Sequence, residues 1–265
     1  MKRKLGVGIL FLLVTLFSMS GCQSNNALNQ KEWDLLFVSD SSGWNVADIY
    51  GEMIAEDNGV IVNVMDHWKG GLEAKRLLNA LRGNLGDDHD FEMGKIREDV
   101  EKAEVIVVYG NPEGSIMVDN PWDWNCGQDS LQECYVNNCS MDSFELYIDH
   151  MKEIFSIIIK LRKGKPTIIR TFDAYNPVMV NQCAENDTFD ICKACWENYN
   201  KAIHQAADEM GIPVAKVFDA WNGPDHTEDP NGKGYTQADG IHPNKTGASV
   251  IAQLLRDLGY EPITP

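Results

Sequence analysis

The sequence predicts a three-layer α/β sandwich on a parallel sheet. Five apolar runs are continuous rather than alternating, the pattern of strands buried on both faces. Stretches of helical period separate them, so strand and helix alternate, and right-handed crossovers place helices on both faces of the sheet. The 265 residues suffice for one such domain with a full core, and no internal repeat or low-complexity segment interrupts them.

The first strand is 34–39, "DLLFVS", followed by a helix over 46–57. The second, 59–65 "GVIVNVM", leads to helices over 72–82 and 91–102. After the third, 104–109 "EVIVVY", comes an insert rich in cysteine and tryptophan at about 112–142, longer than an ordinary strand–helix loop. A helix over 143–163 precedes the fourth strand, 166–172 "PTIIRTF". Another over 192–210 precedes the fifth, 212–218 "IPVAKVF", and a last helix covers 244–258. Gly59, Gly164 and Gly211 stand just past helix ends, where the chain favours a left-handed residue without a Cβ.

Ahead of the first strand, Lys2-Arg3-Lys4 precedes the apolar run "LGVGILFLLVTLFSM", too short for a comfortable membrane span, and then "MSGC". This order resembles a bacterial lipoprotein signal peptide. The resemblance implies removal of residues 1–21, lipidation of Cys22, a tether over 22–32 and a domain over 33–265. The protein would then be extracytoplasmic and anchored to a bacterial membrane by the lipid. Residues 1–21 hold three cations and no anion, so the rest carries 20 Lys and Arg against 40 Asp and Glu, a net charge of −20. Such a surface repels nucleic acid and anionic headgroups, so nucleic acid is not an expected partner.

In open α/β sheets the site lies at the carboxyl ends of the strands. Those ends carry Ser39, Asp40, Ser41 and Ser42; then Asp66, His67, Gly70 and Gly71; then Gly110 and Asn111; and, after the fifth strand, "ADGIHPNKTG". A serine becomes a nucleophile when a base takes its proton and a carboxylate orients that base. Asp239-x-x-His242 supplies both groups, is the only Asp-x-x-His in the chain, and opens the last helix, with Pro243 suited to its first position. Acyl transfer also needs donors for an oxyanion: Gly71 can offer a bare backbone N–H at the start of a helix, and Asn111 its amide. The duller readings are an N-cap for Ser41, turn residues for Gly71 and Asn111, and a loop histidine for His67.

These four blocks together resemble the SGNH, or GDSL-like, hydrolase family over nearly the whole chain after the leader. "VSDSS" is similar to the Gly-Asp-Ser block, with Ser41 as nucleophile. "KGGLEAKRLLNAL" is similar to the glycine block at Gly71, "VVYGNPEG" to the asparagine block at Asn111, and "DGIHPN" to the closing block with Asp239 and His242. Ser39 replaces the usual glycine, and Tyr109-Gly110-Asn111-Pro112 shifts the usual Gly-x-Asn-Asp. The resemblance implies a flavodoxin-like five-stranded sheet of order 2-1-3-4-5. It implies a serine esterase working through an acyl-enzyme with no cofactor and no metal, its oxyanion held by Gly71, Asn111 and the Ser41 N–H.

The substrate is expected to be a small-molecule or glycan ester. Trp122 and Trp124 of the insert and Trp44 behind the nucleophile suit sugar rings, favouring a carbohydrate O-acetyl ester, with His67 as a further candidate for the pocket lining. The same surface would hold an acyl chain, as in a lysophospholipase or thioesterase, and a non-catalytic binding lipoprotein on this fold is the third reading. Apart from Cys22, six cysteines remain, an even number that outside the cytoplasm reads as disulfides before metal. Cys126, Cys134 and Cys139 lie in the insert, and Cys183, Cys192 and Cys195 beyond the fourth strand. With three in each group, complete pairing requires at least one bond between groups. Zinc at Cys192-x-x-Cys195 is the competing arrangement.

Overall fold

A computed structural model describes residues 31–85, 91–112, 139–177 and 189–263. Five parallel strands form one sheet in the order β2-β1-β3-β4-β5: β1 Glu32–Ser39, β2 Ile61–Trp68, β3 Val105–Val108, β4 Ile168–Phe172 and β5 Val214–Ala215. The helices are α1 Val46–Asn58, α2 Ala74–Arg82, α3 Phe91–Lys102, α4 Glu145–Arg162, α5 Phe189–Met210, α6 Val217–Asn222 and α7 Lys245–Asp257. Helices α1 and α7 pack together on one face, and α2, α3, α4 and α5 on the other. The fold class and strand order match the expectation.

Burial explains where the apolar runs are continuous and where they are not. Val105–Val108 and Ile168–Phe172 are buried throughout, as interior strands of a doubly covered sheet should be. Strand β2 is an edge, and its residues are mostly exposed or half-buried, so the apolar run there does not mark a strand buried on both faces. It also runs three residues past the apolar stretch, because Phe37, Val38 and Ser39 of β1 pair with Asp66, His67 and Trp68.

The fifth strand is shorter than expected. Only Val214 and Ala215 pair with Thr171 and Phe172, and helix α6 starts at Val217 inside the run read as strand. The buried carboxylate of Asp173, at the end of β4, accepts the Phe218 N–H at 2.7 Å and turns the chain into helix. Gly59, Gly164 and Gly211 all take positive φ, at 63°, 77° and 68°. Helix α7 is capped by Asn244, whose side chain accepts the N–H groups of Thr246 and Gly247; Pro243 therefore precedes the cap rather than opening the helix. The greater part of the insert, residues 113–138, lies outside the described residues, as do residues 1–30 with Cys22.

Two cysteines bear on the insert. Cys139, at its end, is disulfide-bonded to Cys195 of α5, with Cα atoms 4.9 Å apart. This is a bond between the two cysteine groups, and with Cys195 so engaged the Cys192-x-x-Cys195 zinc pair does not form. Cys192 is disulfide-bonded as well. No metal-ligating cluster occurs among the described residues. Cys126, Cys134 and Cys183 fall outside them.

Candidate active site

The chain leaves β1 through Asp40 into a single 3-10 turn, Ser41–Gly43. The cap of that turn is Asp40, not Ser41: its Oδ1 accepts the Ser42 N–H at 2.8 Å and the Ser42 hydroxyl at 2.5 Å. Capping therefore leaves the Ser41 hydroxyl out of the turn's own hydrogen bonding. Gly43 is required here, because a Cβ on it would lie 2.0 Å from Ser39 Oγ and 2.7 Å from the Phe37 ring. The Ser39 side chain fits into the room Gly43 leaves.

The other half of the site comes from the loop before α7. Asp239 Oδ1 accepts the N–H groups of Ile241 and His242 at 2.9 and 3.0 Å, folding the loop into a turn on its own side chain. Its second oxygen, Oδ2, lies 2.7 Å from His242 Nδ1. With the Nδ1 proton given to that oxygen, Nε2 carries a lone pair, and it stands 3.1 Å from Ser41 Oγ. Burial pushes the Asp239 carboxyl up, but the bonds from the His242 ring and the two N–H groups outweigh it and hold the group below the ordinary carboxylate range.

Further bonds position this loop. Tyr175 donates to the Ile241 carbonyl at 2.8 Å. The Asn231 amide reaches both Gly240 O and Pro177 O, at 3.3 and 3.4 Å, tying the Asp239–His242 loop to the segment after β4. That segment is itself pinned by two buried asparagines. Asn200 bonds the N–H and carbonyl of Ala174, and Asn222 those of Asn176. Asp229 accepts from the Asn231 N–H, and Glu228 pairs with Lys233.

Gly71 and Asn111 both line the cavity that Ser41 and His242 open into. Gly71 does not begin a helix as expected. It lies in the turn between β2 and α2, at φ 61°, three residues before Ala74. The turn exists because Glu73 bridges to Asn111: the Asn111 N–H donates to Leu72 O and the Ala74 N–H to Asn111 O, at 2.8 and 2.9 Å. Gly110 lets this approach happen, since a Cβ there would lie 2.8 Å from Ala74 Cα. The Asn111 side chain donates to Asp40 Oδ2 at 3.2 Å, so Asp40 both caps the serine turn and orients the amide. Burial raises the Asp40 carboxyl above its ordinary range, against the opposing pull of Ser42, Asn111 and His242.

The cavity measures about 190 Å³ and is walled by Tyr109, Tyr175, Trp196 and Tyr199 with Ala174 and Pro177. None of these was singled out from the sequence. A signal was present in α5: Trp196, Tyr199, Asn200 and Ile203 recur at helical spacing, an aromatic face carrying one buried amide. Tyr109 and Tyr199 share a hydrogen bond between their hydroxyls, and burial pushes both phenols well up.

The remaining candidates separate. His67 is not part of the pocket lining: it is buried on β2, with Nε2 2.8 Å from Asp99 Oδ2 of α3. Trp44 does not line the cavity either, but packs edge-on against the His242 ring with centroids 5.8 Å apart. Trp122 and Trp124 lie outside the described residues.

No family model matches the chain, and no curated protein does. Solved structures do. A lipase from a goat rumen metagenome is 22% identical, with a TM-score of 0.56 over 86% of this chain and 98% of that one. A mutant of an acetyl-xylooligosaccharide esterase from Geobacillus stearothermophilus is 16% identical, with a TM-score of 0.53 over 89% and 98%. A lipase/acylhydrolase from Enterococcus faecalis is 12% identical, with a TM-score of 0.50 over 85% and 95%. At these identities the likeness is one of fold, and it spans nearly the full length of each of these chains.

Proposed function

We propose that the protein is a serine ester hydrolase that works through an acyl-enzyme. The observation that carries this reading is the chain of contacts Asp239 Oδ2–His242 Nδ1 and His242 Nε2–Ser41 Oγ, at 2.7 and 3.1 Å. Ser41 Oγ attacks the ester carbonyl carbon as His242 Nε2 takes its proton. The negative charge that develops on the carbonyl oxygen meets the Gly71 N–H, the Asn111 amide and the Ser41 N–H. Collapse of this intermediate breaks the bond to the alcohol, which leaves with the proton from His242. Water then attacks the acyl-Ser41 with His242 again as base, and the acid departs with the serine regenerated.

The wall of four aromatic rings around about 190 Å³ favours a short acyl group over a long chain, since pockets for larger ligands run to roughly 300–1,000 Å³. An O-acetyl ester fits this better than the substrate of a lysophospholipase or thioesterase. The solved structures of like fold include lipases and an acetyl-xylooligosaccharide esterase, which accords with ester hydrolysis. The order of the leader supports attachment to a membrane outside the cytoplasm through a lipid on Cys22.

The test is turnover of p-nitrophenyl acetate against the butyrate and octanoate esters. The reading predicts an initial burst of nitrophenol stoichiometric with enzyme when deacylation limits, and a rate that falls as the acyl chain lengthens. Absence of turnover on all three esters would leave a binding protein on this fold.

A further inference from the structure

We propose that Trp44 and Trp68 form the subsite for the alcohol half of the substrate, and that this half is an uncharged pyranose ring. The inference rests on the esterase reading and adds to it where the leaving group sits and what it is. The two indoles stack with centroids 5.3 Å apart and planes 16° from parallel. Trp44 lies in turn against the His242 ring at 74°. Neither tryptophan lines the small aromatic-walled cavity, so Ser41 and His242 stand between two different surfaces. One is the small aromatic-walled cavity, suited to a short acyl group. The other is open: Trp68 is 38% exposed, the one aromatic among the large exposed apolar side chains of the described residues.

The chemistry assigns the halves. His242 Nε2 must deliver its proton to the leaving oxygen, so the alcohol lies beside that ring, where Trp44 flanks it. In this stacked pair the exposed Trp68 indole, backed by Trp44, offers a flat apolar surface, and the axial C–H groups of a pyranose form a flat apolar face of matching shape. A glycerol backbone or flexible chain has no such face and loses more rotamer freedom on being held against one. A net charge of −17 over the chain disfavours an anionic alcohol.

The placement of Trp68 follows from the sheet. It pairs with Ser39 at the carboxyl end of β1, two residues before the nucleophile. Adjacent side chains of a strand point to opposite faces. Buried His67 turns inward against α3, and Trp68 turns to the opposite face, where it meets Trp44.

Kinetics on glucose pentaacetate and triacetin, both neutral acetyl esters, separate the possibilities. Loss of one stacking partner worth about 1.4 kcal/mol corresponds to tenfold in affinity. Trp68→Ala should therefore raise KM for glucose pentaacetate about tenfold with kcat held within about twofold. Trp68→Tyr should recover most of the loss, and triacetin should lose markedly less. Equal losses on both esters would overturn the pyranose assignment, as would wild-type enzyme that cleaves triacetin but not the sugar ester. An unchanged KM for glucose pentaacetate in Trp68→Ala would overturn the subsite. Failure of wild-type enzyme to hydrolyse either ester strikes instead at the esterase reading.

Discussion

His242 Nε2 and Ser41 Oγ stand 3.1 Å apart although 201 residues of chain separate them. The contact is made by two short turns, each folded on an aspartate. Asp40 gathers the Ser42 N–H and hydroxyl, and Asp239 gathers the N–H groups of Ile241 and His242. In each case one carboxylate oxygen shapes the backbone while the other addresses the site, at Asn111 and at the His242 ring. The geometry is thus set locally, and the sheet needs only to bring the two turns to the same edge.

Ser41→Ala and His242→Ala are each expected to lower ester turnover about 10⁴-fold or more, and the double variant little further, because the groups act as a unit. Asn111→Ala should lower it by roughly 10²–10³. Steady-state kinetics on purified variants check this, and additive losses in the double variant would argue against a shared mechanism.

The Cys139–Cys195 bond closes a long stretch of chain, 56 residues apart in sequence, next to Trp196 of the cavity wall. Replacing both cysteines by serine should cost about 2–4 kcal/mol of stability. Mild reduction should raise KM before the far-ultraviolet circular dichroism of the sheet and helices changes. A Tm and a KM that both survive reduction unaltered would show that the bond does not hold this wall.

Asp57, at the end of α1, accepts from Arg256 and Tyr260 of the α7 end, and the Arg256 bonds first, then Tyr260, hold its carboxyl below the ordinary range. A carboxylate lowered on folding contributes stability that is fully present above its unfolded value, about 3.9, and lost as pH falls through the folded value. Asp57→Asn should therefore lower Tm at pH 7, and the gap from wild type should close progressively below about pH 4. Thermal melts at both ends decide the matter; an equal gap at pH 7 and pH 2.5 would mean that charge is not what this contact contributes.

The order of the leader predicts where the protein resides. Cys22→Ala should move it from the membrane fraction to the soluble fraction or leave an uncut precursor, with esterase activity retained in either form. Wild-type protein found soluble, with a mature amino terminus at another residue, would end the lipid-anchor proposal.

The Asp239–His242–Ser41 arrangement was legible because each member stands beside a local signal: Ser41 behind an apolar run, His242 three residues from the only matching aspartate. The interior strands were legible for the same reason, since Val105–Val108 and Ile168–Phe172 read directly as buried runs. Trp68 was not. Ending the second strand at Met65 left residues 67 and 68 without a pleat, so nothing in the sequence separated a buried His67 from an outward Trp68. The start of α6 was hidden because the carboxylate that accepts its Phe218 N–H, Asp173, lies 45 residues away in sequence. The pinning roles of Asn200, Asn222 and Asn231 were hidden similarly, each amide reaching a segment that it meets only in the folded chain.

The most direct test of the central claim is to treat the protein with a fluorophosphonate, digest it and map the modified peptide. An activated serine is phosphonylated in the native protein and not after denaturation. The account predicts one adduct per chain, on Ser41, abolished in His242→Ala. No adduct, or an adduct on Ser42 with Ser41 unmodified, would contradict it.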